Sequence, residues 1–398
     1  MTGDGSVGDR IRAHRLRRGL GQRELAQLAG RSESWLSQVE RGVREVDRLS
    51  VLVEIARVLK IDIEVLAGCR IGSAASDQLA EGGAAELRRA LSGYPGFGSE
   101  PPAVREPAEL GRLAATAHQR YQAAEYRAVA RELAGLISAA DALSSEPRGD
   151  PRAVSAAQCQ VYVVAAKLGT KLGDGAAAWI AADRAAQAAF RADSAVLRGM
   201  AAYQVVTAFM RSGRIDDAEQ IALTAAEAIT DDGPAGVSVQ GSLFLISSVI
   251  AGRRSDGAEA TARLRRARYL AGALGHDGNH AWTAFGPTNV AIHEVSATTE
   301  LGQAKLAVRL AENVDAASLP VGLRSRRAQL HIDAAWAHAQ LRDDSAAVVN
   351  LLETERTAPE ALRYNVVVRE VLGELMKRER RCATPGLRAV AARAGVLR

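Results

Sequence analysis

Alanine recurs at fixed intervals from about residue 108 to the C-terminus, and this repetition restricts the fold of that region. Relative to Ala218, equivalent alanines stand at Ala178, Ala258, Ala307 and Ala347, at intervals of 40, 40, 49 and 40 residues. Twelve residues before each alanine the residue is apolar: Ala166, Val206, Ile246, Val295 and Ala335. One helix pair cannot bury its apolar face alone, so such pairs stack. The pattern predicts an α-solenoid of helix pairs with a concave surface.

This array resembles the tetratricopeptide repeat, a helix pair whose second helix carries small residues where the helices cross. The clearest copy is FMRSGRIDDAEQIALTAAEA, in which Gly213 ends the first helix. The family period is about 34 residues, so the helices of this chain should be longer. A further pair is expected on each side of the array, at Arg112 to Leu143 and at Glu360 to Val396.

A different pattern lies between Leu20 and Arg44, where two short helices are predicted on either side of a tight turn. Leu25, Leu28 and Ala29 share one face of the first helix at helical spacing. Gly30 suits the turn, because glycine adopts positive φ without a steric cost. Ser32 is the expected N-cap of the second helix, in which Leu36 and Val39 point inward. The outward face then carries short hydrogen-bonding side chains: Glu33, Ser34, Ser37, Gln38 and Arg41.

Several residues of this stretch resemble the XRE family, the Cro/repressor type of helix-turn-helix. They are Gln22, Glu24 to Ala26, Ala29, Gly30, Ser32 and Trp35 to Gly42. The resemblance implies a five-helix DNA-binding domain at residues 8–68, with Leu49 to Leu59 in the fourth helix and Ile63 and Leu66 in the fifth. It also implies a recognition helix in the major groove and binding as a homodimer to a double-stranded operator.

The local charge near the predicted recognition helix supports DNA binding more strongly than the net charge of the whole chain does. The net charge is only +5, but seven arginines and a single acid lie between residues 10 and 31. Such a cluster beside a recognition helix is what contact with phosphates requires. The predicted DNA-binding residues are Arg17, Gln22, Arg31, Ser32, Glu33, Ser34, Ser37, Gln38, Arg41 and Arg44.

The interval of 49 residues contains an insertion, which falls in the stretch from His276 to Val295. Its segment FGPTNVAIH resembles one in actinobacterial regulators that join an XRE domain to a repeat array. As a whole, the chain resembles the peptide-sensing helix-turn-helix/tetratricopeptide regulators of Gram-positive bacteria. That resemblance implies that the array binds a small effector, most simply a peptide, and mediates dimerisation.

In tetratricopeptide arrays, positions near 2, 5 and 9 of each first helix face the concave surface. Position 2 is here an amide in four of five repeats, and position 5 is apolar or aromatic. Amides can bind a peptide backbone while an apolar row accepts side chains; alternatively, the amides are solvated at helix starts. The predicted ligand-binding residues are Gln160, Tyr203, Gln240, Asn289, His293, Gln329 and Trp336.

The remaining segments set the predicted domain limits. Residues 1–7 are expected to be disordered, and residues 69–107 to form a connecting helix and a linker rich in glycine and proline. Residues 108–398 then form the ligand-binding and dimerisation domain. The apolar run from Leu243 to Ala251 is short and contains serines, which indicates a buried helix rather than a membrane span.

No motif of an enzyme, a metal site or a cofactor site stands out. The three cysteines are far apart, and the N-terminus has no basic-then-apolar segment, which favours the cytoplasm. His276, Asp277, His280 and His293 match no standard metal spacing. The predicted function is a ligand-responsive transcriptional regulator without a cofactor. The alternative is an adaptor whose repeat groove holds a protein tail, with the first domain locating it on DNA.

Overall fold

The computed structural model describes residues 6–18, 20–46, 49–59, 66, 78–93, 106–145, 149–379 and 382–397. Within these residues the chain forms 20 α-helices and two short 3-10 turns, and no strand. The all-α prediction is therefore confirmed. The chain divides into two compact units, Met1–Ala75 and Ser76–Arg398.

The first unit contains α1 (Val7–Arg17), α2 (Gln22–Leu28), α3 (Glu33–Glu40) and α4 (Leu49–Leu59). Its core is made by side chains that are almost fully buried: Ile11, Leu25, Ala26, Leu36, Val39, Ile55, Leu59 and Leu66. Leu28 is an exception to the sequence prediction, because it is 56% exposed while its neighbour Ala26 is buried instead. The predicted fifth helix lies outside the described residues except for Leu66.

A capping box defines where α1 begins. The hydroxyl of Ser6 accepts a hydrogen bond from Asp9 N at 3.2 Å, and the Asp9 carboxylate accepts one from Ser6 N at 2.9 Å. This reciprocal arrangement is a capping box. Ser6 thus caps α1 and Val7 is its first residue, so the prediction of a disordered segment reaching residue 7 is wrong for these two residues. Residues 1–5 lie outside the described residues.

The second unit begins with α5 (Gln78–Leu91) and continues with six helix pairs. The pairs are α6 (Pro107–Gln122) with α7 (Tyr126–Ser145), α8 (Pro151–Lys171) with α9 (Gly175–Arg191), α10 (Ala195–Arg211) with α11 (Ile215–Glu227), α12 (Pro234–Arg253) with α13 (Gly257–Leu274), α14 (Pro287–Glu300) with α15 (Ala304–Glu312), and α16 (Arg324–Gln340) with α17 (Asp344–Thr357). The predicted array of helix pairs is confirmed, including the additional pair at its N-terminal side.

The turn within each pair has the same backbone geometry. In all six pairs the second residue after the first helix has positive φ: Ala124, Gly173, Gly213, Ser255, Gly302 and Arg342. A left-handed residue at this place closes a helix C-terminus. Aspartates then cap several second helices, as where the Asp174 carboxylate accepts from Ala177 N at 3.0 Å.

The alanine anchors pack as predicted in four pairs and fail in one. Ala178, Ala218, Ala307 and Ala347 are at most 1% exposed. Ala258, in contrast, is exposed, and Ala260 is buried in its place at 2%. In the other four pairs the buried anchor is the fourth residue of the second helix, whereas α13 begins at Gly257, so its fourth residue is Ala260. The second helix of this pair therefore begins later than the interval of 40 residues predicts.

The segments beside the pairs also differ from the prediction. Helix α5 packs against α7, so it belongs to the second unit rather than to a separate connecting segment. The predicted linker lies mostly outside the described residues. The expected pair after residue 360 is replaced by three short helices, α18 (Pro359–Tyr364), α19 (Val366–Lys377) and α20 (Leu387–Arg393).

The two ends of the array meet. The backbone N–H of Arg127 donates to Glu360 Oε2 at 3.0 Å, and Arg127 Nε donates to the Tyr364 hydroxyl at 3.2 Å. The rings of Tyr126 and Tyr364 pack edge to face with centroids 6.3 Å apart. Helix α7, the second helix of the first pair, therefore contacts α18. The array closes on itself, because helices from its two ends are in contact.

Helix α12 is long and apolar enough to cross a membrane, but 78% of its apolar window is buried inside the array. Such burial is typical of a core helix, as the sequence predicted for the run from Leu243 to Ala251.

Candidate DNA interface and effector cavity

Helix α3 presents one polar face. Ser32 caps it by accepting a hydrogen bond from Trp35 N at 3.2 Å, as predicted. Leu36 and Val39 are each 1% exposed and hold the helix on the core. The opposite side carries the predicted outward residues, with Glu33, Ser34 and Arg41 exposed and Ser37 and Gln38 half-buried. These side chains can donate and accept hydrogen bonds, which is the chemistry that reads base edges in a major groove.

A buried ion pair fixes α3 to the two preceding helices. Arg15 donates to both carboxylate oxygens of Glu40, from Nε at 2.6 Å and from Nη2 at 2.8 Å. Gln22 Nε2 donates to Glu40 Oε2 at 2.7 Å. Burial opposes ionisation of Glu40, but the hydrogen bonds from Arg15 and Gln22 hold its pKa below the ordinary value. Gln22, predicted as a phosphate contact, is thus also oriented by the end of α3.

The arginine cluster is partly structural. Arg15 is only 6% exposed. Arg10 Nε donates to Leu66 O at 2.8 Å, and Arg18 Nη1 donates to Val58 O at 2.7 Å. Charge counting in the sequence therefore overstates how many arginines are available to phosphates. Arg31, Arg41 and Arg44 remain exposed; the guanidinium of Arg31 lies 5.6 Å from the centroid of the Trp35 ring. The side chain of Arg17 lies outside the described residues.

The second unit encloses a cavity of about 290 Å³. Its wall is built by the first helices of three consecutive pairs, α8, α10 and α12. The end of α6, the start of α16 and the inserted loop, residues 275–286 between α13 and α14, complete the wall. The lining side chains that matter below are Tyr121, Gln122, Lys167, Lys171, Tyr203, Gln204, Ser242, Trp282, Arg326 and Gln329. The prediction that first helices line the inner surface is consistent with this arrangement.

The inserted loop forms one side of the cavity and is anchored on α6 and α8. Asn279 and Gln122 of α6 exchange two amide hydrogen bonds, at 2.7 and 2.6 Å. Lys167 of α8 donates to Trp282 O at 3.0 Å. The Trp282 ring stacks on His118 with centroids 5.1 Å apart. The loop thus crosses the inner surface and places residues 281–284 against the cavity.

Phe285 locks the loop onto α12. Its side chain is fully buried, and it lies directly over Gly241. A Cβ atom on Gly241 would come within 2.0 Å of the Phe285 ring. Only glycine allows this approach, so residue 241 is specified by the loop that packs on it.

The backbone of the loop is strained. Ala281, Trp282 and Ala284 have φ of 49°, 59° and 55°. Positive φ is unfavourable for residues with a side chain, and most of all for a bulky one. Strain of this kind costs on the order of 1 kcal/mol per residue and clusters at ligand-binding segments. The fold maintains this shape because the hydrogen bonds of Asn279, the stacking of Trp282 and the burial of Phe285 together hold the loop.

Positive charge dominates the polar part of the cavity. Lys167, Lys171 and Arg326 lie on its wall, and none of the described lining residues is acidic. Burial, with the nearby charge of Arg326, lowers the pKa of Lys167 to about 7 and that of Lys171 to about 8. Both shifts show that burial and the charge of Arg326 disfavour the positive charge of these lysines when no anion is present.

One carboxylate stands behind this wall. Asp333 is 4% exposed and accepts hydrogen bonds from Ser296 and from Gln329 Nε2, the latter at 2.8 Å. Burial raises the pKa of Asp333 to about 6, against the opposing effect of these hydrogen bonds. Asp333 thereby orients the Gln329 amide, which lines the cavity.

The predicted ligand-binding residues do not converge. Tyr203 and Gln329 line the cavity. Gln160 Oε1 is buried elsewhere, and Gln240 Nε2 turns to the preceding pair, where it donates to Ala226 O at 2.9 Å. Val239, the residue before Gln240, faces the cavity instead.

Asn289, His293 and Trp336 also lie outside the cavity wall. Asn289 is 1% exposed, and His293 Nδ1 donates to Asn289 O at 2.9 Å. Burial lowers the pKa of His293 to about 3, so it is neutral. Trp336 packs against the C-terminal core around Leu351. These three residues therefore do not line this cavity, and their role in ligand binding stays a prediction.

Sequence reasoning missed the charged residues of the cavity. Lys171 lies beyond position 9 of its helix, and Arg326 precedes position 2 of its own. Tyr121 and Gln122 come from α6 of the first pair, which packs directly against α8. Among the charged residues, only Lys167 lies at position 9, which is one of the positions expected to face the concave surface. It was therefore the one available signal for these charges in the sequence.

Comparison with known proteins identifies the first unit. Residues 6–67 match the family model of a helix-turn-helix domain. The predicted helix-turn-helix is thus confirmed, and this part of the chain is a DNA-binding domain. No curated protein matches the chain at a significant level.

Two solved structures are similar to the chain. PlcR of Bacillus thuringiensis, in complex with the peptide PapR7 and DNA, is 16% identical, with a TM-score of 0.32 over 68% of this chain and 95% of that chain. A signal transduction ATPase with a tetratricopeptide repeat sensor from Pyrococcus horikoshii is 12% identical, with a TM-score of 0.41 over 100% of this chain and 66% of that chain. At these scores neither similarity assigns a function.

Proposed function

We propose that this protein is a cytoplasmic, sequence-specific transcriptional regulator that binds operator DNA as a homodimer. The observation that carries the proposal is the polar face of α3 in a helix-turn-helix domain. A single recognition helix reads too few base pairs for a genomic target, which favours two copies on a two-fold symmetric site. The helical-repeat domain binds a small effector, such as a peptide, that controls operator binding.

The cavity favours this regulator over a protein adaptor. The inserted loop covers part of the inner surface, and the space left is about 290 Å³. Pockets for drug-sized ligands have volumes of about 300 to 1,000 Å³. This cavity therefore suits a small molecule or the end of a peptide better than an extended protein tail.

DNA binding is tested by selecting bound duplexes from a randomised pool with the full-length protein. We expect a two-fold symmetric motif whose half-sites lie about one helical turn, roughly 34 Å, apart. Gln38 reaches out from α3, and an amide can form a bidentate contact with adenine. Gln38→Ala should cost about 1–3 kcal/mol on the selected motif and relax one base position. Equal loss on selected and random DNA would show that Gln38 does not read sequence.

Phosphate contacts are tested by the salt dependence of binding. Arg41 is exposed at the end of α3, where its Nε donates to Ser37 O at 3.2 Å. Each phosphate that an arginine neutralises adds about 0.9 to the slope of log K against log salt. Arg41→Ala should reduce the slope by about that amount. Arg309→Ala, an exposed arginine of the second unit, is the matched control and should leave the slope unchanged.

A further inference from the structure

The cavity collects positive charge that the protein itself does not neutralise. Lys167, Lys171 and Arg326 share its wall, and within the described residues no carboxylate pairs with any of them. Asp333 is the nearby acid, but its oxygens accept hydrogen bonds from Ser296 and Gln329 instead. Elsewhere in the array, arginines are paired, as Arg378 is with Asp344 at 2.8 Å.

Keeping three cations close together in a half-buried site opposes folding. Removal of a charge from water is unfavourable unless a partner of opposite sign compensates for it. The charge of Arg326 also acts on groups all around the cavity, since it contributes to the pKa shifts of Lys167, Lys171, Tyr203 and His293. Arg326 is thus central to the cavity, and an arrangement of this kind is typical of a binding site rather than of a structural core.

Aromatic rings stand beside these charges. Tyr121, Tyr203 and Trp282 line the same cavity, with hydrogen-bonding groups from Gln204 and Ser242 between them. The Trp282 ring is fixed by its stacking on His118. A planar group of a ligand can pack on such rings, while its charged group reaches the cations.

We propose that the cavity binds a small organic anion, a carboxylate or a phosphate attached to a planar group. The anionic group lies between Arg326 and the two lysines, and the planar group lies beside Tyr121, Tyr203 and Trp282. Arginine suits this role because its planar guanidinium forms paired hydrogen bonds with carboxylate or phosphate oxygens. This inference rests on the proposed effector function and names the chemical class of the effector.

The geometry also suggests how such a ligand changes the array. Lys167 and Lys171 belong to α8, whereas Arg326 lies in the first turn of α16, more than 150 residues away in sequence. Without a ligand these cations repel each other across the cavity. A bound anion replaces this repulsion by attraction, so it draws two distant parts of the closed array together. Differential binding to two shapes of the array is what shifts a conformational equilibrium.

The test uses the full chain with three probes of similar shape: benzoate, phenyl phosphate and the neutral benzamide. Isothermal titration and thermal unfolding are measured for the wild type, Arg326→Gln, Lys171→Gln and the exposed control Arg309→Gln. We expect benzoate or phenyl phosphate to bind at least tenfold more tightly than benzamide, since hydrogen bonds to an ionised group are roughly twice as strong as those between neutral groups. The stronger of the two anions identifies the natural group as carboxylate or phosphate.

Arg326→Gln and Lys171→Gln should each weaken anion binding at least tenfold and raise the unfolding midpoint of the free protein at low salt. The rise follows from the loss of like-charge repulsion, and a residue that only stabilised the fold would lower the midpoint. Arg309→Gln should change neither quantity. Equal binding of all three probes, or unchanged anion binding in both cavity variants, would overturn the inference. DNA selection is independent of these probes, so its success or failure reports separately on the proposed function.

Discussion

Gly241→Ala should detach the inserted loop from α12. The added Cβ atom would stand 2.0 Å from Phe285 Cζ and 2.4 Å from Cε2, where ordinary contacts begin near 3.4 Å. The Phe285 ring is fully buried and cannot withdraw without moving the loop. Overpacking of this kind costs about 1–3 kcal/mol. The loop supplies residues 281–284 to the cavity, so binding of an anionic probe should weaken as well.

The matched control is Gly135→Ala, an exposed position in the middle of α7 where a Cβ would meet no atom within 4 Å. There the substitution should stabilise by about 0.4–1 kcal/mol, because it restricts the unfolded chain. Urea unfolding of the full protein measures both effects, and the two variants should differ by about 1.5–4 kcal/mol. Combining Gly241→Ala with Phe285→Leu should recover part of the loss. If both glycine variants shift stability in the same direction, the contact between Phe285 and Gly241 does not hold the loop.

Three further outcomes follow from buried charges and from the closure of the array. Glu40→Gln leaves Arg15 buried without its ionic partner and should destabilise the first unit by about 3–5 kcal/mol, measured by hydrogen exchange in α1 to α3. The stability of the ligand-free second unit should rise between pH 7 and about pH 10.5, because folded Lys167 loses its proton near pH 7 whereas the unfolded chain holds it to about 10.5. Glu360→Gln removes a charged acceptor from Arg127 N and should lower the urea midpoint by the equivalent of about 1–2 kcal/mol.

Each of these outcomes has a control. Glu33→Gln, on the exposed side of α3, should leave hydrogen exchange unchanged. Lys167→Met should flatten the rise of stability with pH, although Arg326, Lys171, Tyr121 and His118 also face this region; an unchanged slope would assign it to another group. Glu370→Gln, an exposed position on α19, should not move the midpoint. An equal effect of Glu370→Gln and Glu360→Gln would show that the contact between the ends contributes nothing.

The sequence was most informative where local chemistry determines structure. Ser32 predicts a cap and Leu36 a buried face, because both depend on residues within one helical turn. The alanine register predicts helix pairs for the same reason, since small residues mark where two adjacent helices cross. It fails at Ala258 because α13 begins at Gly257, later than the interval of 40 residues predicts, and the alanine spacing gives no sign of this.

The cavity was less accessible because it depends on contacts that are distant in sequence. Closure of the array brings α6 and α16 together, and no periodic pattern reports that contact. Asn289 looked suitable for a ligand because it is polar and adjoins the inserted loop, but its side chain is almost fully buried and does not line the cavity. Arg326 belongs to no sequence motif, and only the structure shows that it lines the cavity.

The central claim is that occupation of the cavity controls DNA binding. The most direct measurement is the affinity of the wild type and of Arg326→Gln for the selected operator, with and without a small-molecule extract of the cells that make the protein. Both proteins should bind the operator equally well without extract. The extract should change the affinity of the wild type about 5- to 150-fold, the usual range of coupling between sites, and leave Arg326→Gln unchanged. An extract that alters both proteins equally, or neither, would contradict the claim.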